Sequence, residues 1–281
     1  MTASGRIGFI QGRLSPLVDG KIQAFPAAHW REEFTVAENL GIALMEWTLD
    51  QDGLHSNPFT TTEGQRDIAT LCLRHGVRIP SVTGDCFMQA PFWKAEGATR
   101  QALLDDFRLV IRSARAVGTD TIVVPLVDNG SIASRSQEDS LREGLDMLVP
   151  LLREQRVRLS FETDMGPRKF AEFLTSLDPE LFGANYDIGN SAALGFGPRE
   201  EWAAYGHRVT NVHVKDRALG GTTVPLGEGN ADFPTVFRAM HRAEYEGNCI
   251  LQTARAKDGN HPLALESYRN MVLRWIEEAC T

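Results

Sequence analysis

Short runs in which almost every position is apolar alternate along this chain with longer stretches whose apolar positions recur every three or four residues. The short runs fall at 6–10 (RIGFI), 43–49 (ALMEWTL), 77–82 (VRIPSV), 121–127 (TIVVPLV), 157–163 (VRLSFET), 183–188 (GANYDI), 209–215 (VTNVHVK) and 249–253 (CILQT). They are brief, rich in β-branched residues and followed by Gly, Asp, Asn or Pro, which is the pattern of strands. In 99–117, Leu103, Leu104, Phe107, Val110, Ile111 and Ala114 share one helical stripe, and Gly118 follows as a C-cap. Ile68, Leu71, Cys72 and His75 do the same in 62–75. Ser136 with Asp139 reads as the N-cap of a helix burying Leu141, Leu145, Leu148 and Leu152. Further helices are expected over 31–40, 168–177, 198–205, 234–243 and 263–279, two of them opening at Pro198 and Pro234. Strand and helix repeated eight times predict a (β/α)8 TIM barrel, one α/β domain over residues 1–281. A doubly wound sheet fits less well, because no G-x-G-x-x-G follows the first strand.

Composition narrows this little: 42% hydrophobic and 23% charged is ordinary for a globular protein. The net charge of −8, with Lys and Arg scattered, argues against a nucleic-acid partner. No apolar run approaches the roughly 20 residues of a membrane span. The N-terminus (MTASGRIGFIQGRLSP) lacks the basic start and apolar centre of a signal peptide, so a cytoplasmic location is expected. Cys72, Cys86, Cys249 and Cys280 are far apart and are expected to be free, mostly buried thiols.

Barrel enzymes carry their chemistry at the C-terminal ends of the strands. The fifth run offers Glu162, the sixth Asp187 and Asn190, the seventh His213, Lys215 and Arg217, and the eighth Gln252. Each has a plain structural reading on its own. Glu162 can pair with an Arg, Asp187 can cap a helix, His213 can be a satisfied core histidine, and Lys-Asp-Arg can be a solvated loop. Together, four neighbouring strands ending in two carboxylates, an imidazole and an amide oxygen suit a divalent cation such as Mn²⁺, Co²⁺, Zn²⁺ or Mg²⁺.

The segments YDIGN, VHVKD and VPLGEGNADF, with EWTLD (46–50) and GDCFMQAPF (84–92), resemble the sugar phosphate isomerase/epimerase family of xylose-isomerase-like barrels. The resemblance is closest to the branch containing L-ribulose- or L-xylulose-5-phosphate 3-epimerase and covers nearly the whole chain. It implies Glu162, Asp187, His213 and the eighth-strand residue as metal ligands, with Mn²⁺ the first expectation. It also implies Asn190 facing the substrate and Arg217 holding substrate oxygens. The family's fourth ligand is a Glu that also transfers protons; here it is Gln252, and no acid lies within 250–256. Lys215, Glu228 and Arg13 complete the expected substrate contacts.

An amide cannot usefully exchange a proton at neutral pH, so Glu162 is expected to act as the base. The resulting expectation is a metal-dependent isomerase or epimerase of a ketose or ketose phosphate working through an enediolate. The alternatives are a one-base dehydratase or lyase on a polyol-like substrate, and a sugar-binding homologue without turnover. If two proton-transfer groups are needed, Glu228, Asp85 and Glu46 are the remaining acids, with plain readings as loop acid, helix cap and ion-pair partner. Trp47, Phe87, Phe92 and Trp93 are candidates for an apolar wall against a sugar, with plain core as the commoner reading of such aromatics, and APFW (90–93) is a candidate surface for a second copy in a homodimer. An abasic-site endonuclease shares this barrel, but that reading needs further strand-end histidines, and His55 is the only one in the segments that end strands 2 to 4 (EWTLDQDGLH, SVTGDCF and PLVDNG).

Overall fold

A computed structural model describes residues 3–281, with side chains described from Gly5 onward. The strands in chain order are β1 Ile7–Ile10, β2 Leu44–Thr48, β3 Arg78–Thr83, β4 Thr121–Leu126, β5 Arg158–Thr163, β6 Phe182–Asp187, β7 Val209–Val214, two short strands β8 Asp216–Arg217 and β9 Thr223–Val224, and β10 Asn248–Leu251. Eight of them close into a parallel barrel in the order β1-β10-β7-β6-β5-β4-β3-β2, while β8 and β9 form a separate antiparallel ribbon. Closure is made by β1 against β10, with Ile7 beside Cys249 and Phe9 beside Leu251. The fold is therefore the (β/α)8 TIM barrel that the alternating pattern predicts.

The helices are α1 Glu32–Asn39, α2 Thr62–His75, α3 Asp85–Gln89, α4 Gly97–Val117, α5 Arg135–Gln155, α6 Pro167–Thr175, α7 Ile188–Leu194, α8 Pro198–Tyr205, α9 Phe233–Arg242 and α10 His261–Ala279. The long ones follow the apolar stripes. Helix α4 ends at Gly118, whose φ of 86° is the left-handed C-cap conformation. Helix α5 buries Leu141, Leu145, Leu148 and Leu152, but its cap is Ser134, whose hydroxyl accepts from Gln137 N, rather than Ser136. Two short helices, α3 and α7, and the β8–β9 ribbon are not among the elements expected from the sequence, being too short to display a period. No described helix is long and apolar enough to cross a membrane.

Alternation along the strands divides the core. On β6, Tyr186 faces outward and its hydroxyl donates to Glu201 of α8 at 2.9 Å, whereas Asn185 faces the bore and donates to Glu162 at 2.9 Å. Gly183 lies where strands crowd: a Cβ there would meet Thr210 Cγ2 at 2.6 Å and Arg208 O at 2.9 Å. Between barrel and helices the aromatics interlock. Phe87 stacks on Phe107 of α4 with centroids 3.6 Å apart, and Phe92 meets Phe107 edge-on at 5.8 Å. Truncating such a ring to Ala costs about 3–5 kcal/mol.

This packing corrects the expected sugar-facing wall. Trp47, Phe87, Phe92 and Trp93 are all buried core residues. Trp47 Nε1 donates to Asn57 at 3.0 Å and Trp93 Nε1 to Gly130 O at 3.0 Å, so both indoles are spoken for inside the chain and offer no surface to a second copy. Of the four free cysteines, Cys86 and Cys249 are buried, Cys72 is half-buried and Cys280 is exposed.

Candidate active site

Inward alternation brings Asn185 and Asp187 of β6, Asn211 and His213 of β7, Glu162 of β5 and Glu46 of β2 into the bore, all of them buried. One ligand atom from each of Glu162, Asp187 and His213 lies within 4.8 Å of the others. His213 Nδ1 is 3.1 Å from Glu162 Oε2 and 4.0 Å from Asp187 Oδ2, so this nitrogen faces both carboxylates. Its other nitrogen, Nε2, is 2.7 Å from Glu46 Oε1 across the barrel. A carboxylate at Nε2 fixes the ring orientation and leaves Nδ1 turned to the ligand cluster, the arrangement that metal-binding histidines use.

Glu46 is held in turn by Ser81 Oγ at 2.6 Å and Asn211 Nδ2 at 2.9 Å. Asn211 also donates to Asn185 Oδ1 at 2.9 Å, which places an amide ladder beneath the cluster. Burial alone would favour the neutral ring of His213, but Glu46 and Glu162 outweigh it and push the imidazolium up to about 10. The ring must release that proton to offer Nδ1 to a cation.

Asp187 serves in two ways. Its Oδ1 accepts from Asn190 N at 2.8 Å, capping α7, while Oδ2 lies 3.1 Å from Lys215 Nζ. Asn190 Nδ2 donates to Glu162 Oε1 at 2.6 Å, and Arg217 Nη1 donates to Asn190 Oδ1 at 2.8 Å, so a chain of contacts runs from Arg217 to the carboxylate. The Gln252 amide oxygen accepts from Lys215 Nζ at 3.4 Å. The candidate fourth ligand and Asp187 thus share one ammonium.

The donor set fits a divalent cation. Three buried carboxylates (Glu46, Glu162, Asp187) converge on one imidazole and one lysine, with two of them and Nδ1 turned to a common point. Carboxylate and imidazole ligands suit Mn²⁺, Co²⁺ or Zn²⁺.

Above the cluster opens a cavity of about 440 Å³. Glu162, Asn190, Lys215, Arg217 and Gln252 reach it from the ends of β5, β6, β7 and β10, and Thr83, Asp85, Met88 and Gln89 from the end of β3 and from α3, which the ring order sets across from β7. A larger cavity of about 880 Å³ lies at the opposite end of the barrel, around Arg6, His241 and Tyr245. It faces the N-terminal ends of the strands, where barrels do not place their chemistry.

Two expected substrate contacts are not brought to the cavity. Arg13 is buried, and its guanidinium donates to Thr253 O at 2.8 Å, Ile22 O at 2.7 Å and Gln23 Oε1 at 2.8 Å. Burial, with Arg255 nearby, pulls its pKa down to about 9. It braces the loop carrying Gln23, and Gln23 is the residue that reaches the cavity. Glu228 is exposed on a loop that folds back on Asp216, whose carboxylate accepts from Gly227 N at 2.8 Å, Gly229 N at 2.9 Å and Ala231 N at 3.1 Å. A Cβ on Gly229 would sit 2.1 Å from Asp216 Oδ1, which is why the GEG motif ends in glycine. Glu46 is the partner of His213, and its engagement there leaves it below the cavity.

The sequence profile of the xylose isomerase-like TIM barrel family matches residues 34–276. The chain belongs to this family. Among curated relatives, the L-ribulose-5-phosphate 3-epimerase UlaE of Escherichia coli K12 is 26% identical over 244 residues, covering 82% of this chain and 84% of UlaE. Solved structures superpose over almost the whole chain. The IOLI protein with a binding zinc atom gives a TM-score of 0.77 at 14% identity, covering 98% of this chain and 99% of that one. L-ribulose 3-epimerase gives 0.72 at 15% identity, covering 98% and 95%. At such identities the structural likeness establishes the fold of the family and not the reaction.

Proposed function

We propose that the protein is a divalent-metal-dependent epimerase acting beside the carbonyl of a ketose or ketose phosphate. The observation that carries this is the convergence of Glu162, Asp187 and His213 at the floor of a sugar-sized cavity, with His213 oriented from behind by Glu46. The chemistry stated in the names of UlaE and L-ribulose 3-epimerase, and the zinc of the IOLI protein, support it.

Glu162, Asp187 and His213 would hold the cation, Mn²⁺ first among Co²⁺, Zn²⁺ and Mg²⁺, with Gln252 a weaker fourth donor through its amide oxygen. Once bound, such an ion stabilises negative charge on the substrate oxygens. The chain's own residues do the rest. Glu162 takes the proton from the carbon beside the carbonyl, and its approach is set by Asn190 Nδ2, 2.6 Å from Oε1. Arg217 fixes Asn190 and is itself anchored on Gly221 O at 2.6 Å, so the base is oriented from two residues away. Lys215 and Gln252 present an ammonium and an amide to substrate hydroxyls on the same side.

The test is metal analysis of the protein dialysed against Mn²⁺, followed by proton–deuterium exchange in D₂O on L-ribulose, L-ribulose 5-phosphate and D-fructose. One equivalent of metal and exchange at a single carbon are expected, with exchange slowed 10²–10⁴-fold in Glu162→Gln. Metal binding that persists in an Asp187→Ala/His213→Ala double variant would place the cation elsewhere. Absence of exchange on every sugar would overturn the epimerase reading and favour a sugar-binding protein.

A further inference from the structure

Epimerisation needs a proton removed on one face of a carbon and returned on the other, and Gln252 can do neither. The geometry points to Asp85 as the second proton-transfer residue, working from the wall of the cavity opposite Lys215 and Gln252. The inference rests on the epimerase reading and deepens it.

Asp85 is the one carboxylate on that wall which is buried, at 8% exposure, while still lining the cavity. Its position is rigid. Gly84 N donates to Val123 O of β4 at 2.9 Å and Cys86 N to Leu49 O, just past β2, at 2.8 Å, so the backbone on either side is pinned to a neighbouring strand. Thr83 Oγ1 donates to Asp85 Oδ1 at 3.2 Å. Its Oδ2 has no hydrogen-bond donor among the described residues. No hydrogen bond links Asp85 to the cluster of Glu162, Asp187 and His213 either, so nothing in the ligand set requires a carboxylate here for support.

The spacing suits the task. Asp85 follows β3 and Glu162 lies on β5, with β4 between them. Strands two apart in a sheet lie about 10 Å from each other, a span that a single bound sugar carbon can bridge between two carboxyl groups lining the same cavity. The environment also suits an acid. Burial, then the charges of Asp50 and Glu162, raise the Asp85 carboxyl to about 7; Thr83 and His213 act the other way. A group poised there is present both as acid and as base near neutral pH.

The step balances. Glu162 removes the proton beside the carbonyl; the C–H pair becomes the C=C of the enediolate, and the carbonyl π pair moves to oxygen. Asp85 then gives its proton to the opposite face: the C=C pair forms the new C–H bond, the pair on oxygen re-forms the C=O, and the O–H pair stays on Asp85. Glu162 ends protonated and Asp85 ionised, the state from which the reverse reaction starts; exchange with solvent resets both.

Asp85→Asn keeps the shape and the acceptor for Thr83 while removing the proton. In D₂O with saturating Mn²⁺, on whichever of L-ribulose, L-ribulose 5-phosphate and D-fructose the parent exchanges fastest, two rates are followed: deuterium uptake by NMR and inversion by chromatography. In Asp85→Asn, uptake should stay within about threefold of the parent while inversion falls 10²–10⁴-fold, so that the sugar gains deuterium with retained configuration. Bound metal, measured separately, should be unchanged. Glu162→Gln should lose both rates together. Inversion at the parental rate in Asp85→Asn overturns the inference, and so does an equal fall of uptake and inversion, which would make Asp85 a structural residue. A parent that exchanges none of the sugars brings down the epimerase reading itself, and this inference with it.

Discussion

Replacing Glu46 by Gln tests whether the back of the site governs cation binding, because Glu46 lies behind His213 and lines no part of the cavity above the cluster. Its carboxylate accepts three donors: His213 Nε2 at 2.7 Å, Ser81 Oγ at 2.6 Å and Asn211 Nδ2 at 2.9 Å. A Gln amide oxygen can still accept from Nε2, and the Ser81 hydroxyl can rotate to accept from the new NH₂. Asn211 Nδ2 cannot, so one buried donor faces another. That mismatch costs about 1–3 kcal/mol, visible as a drop of a few degrees in the melting temperature of the metal-free protein. The larger expected effect is on the metal. Loss of the carboxylate behind a ligating histidine typically weakens binding 10–100-fold, or about 1.4–2.7 kcal/mol. Competition between the protein and a chelator for Mn²⁺ measures this directly. An affinity within twofold of the parent, in a variant that is destabilised as stated, would refute the claim that Glu46 sets the ligating nitrogen of His213.

Three further outcomes are expected. Lys215→Met should tighten Mn²⁺ binding by about tenfold, since it removes an ammonium that sits 3.1 Å from Asp187 Oδ2 and 3.4 Å from Gln252 Oε1; weaker binding would show that Lys215 organises the ligands instead of competing with the cation. Gln252→Glu should also tighten the metal by supplying a charged fourth oxygen; unchanged affinity in the same chelator assay would remove Gln252 from the site. Burial raises the Glu33 carboxyl from 4.5 to about 7 against the opposing backbone N–H groups of Gly12 and Leu14. The folded state thus keeps a proton that the unfolded chain releases, so this contribution is full below pH 4.5 and is lost as pH rises through 7, about 3 kcal/mol in all. Glu33→Gln should flatten the pH dependence of denaturant midpoints across that window, and an unaltered slope would contradict it.

The eight strands and the long helices are visible in the sequence because burial on both faces, or on one stripe, leaves a period. The exceptions are instructive. Asp187 caps a helix, as its plain reading has it, but that helix, α7, is only seven residues long and shows no period of its own. The convergence of Glu162, Asp187 and His213 follows from their places at the ends of adjacent strands. Glu46, Asn185 and Asn211 are a different matter. Their signal is a polar residue at an inward alternate position of an otherwise apolar strand, two residues before Asp187 and His213 in the case of the asparagines, and it becomes specific only when the strand's facing is known. Arg13 and Glu228 misled because flanking glycines and strand ends look alike whether a side chain meets a substrate or braces a loop.

The bonds from His213 and Asn211 to Glu46 run from β7 to β2, strands separated by β10 and β1 in the ring. The three clustered candidate cation donors, Glu162, Asp187 and His213, belong to the second half of the chain, and the carboxylate that contacts the histidine from behind belongs to the first. A fragment beginning at residue 158 would contain the donors without their aim; one ending before it would contain neither donors nor cluster. The ion therefore becomes a gauge of ring closure. Followed during refolding, tight Mn²⁺ uptake should appear only when β1 has met β10, after most helical signal has returned, and two separately expressed halves should acquire it only on reassembly.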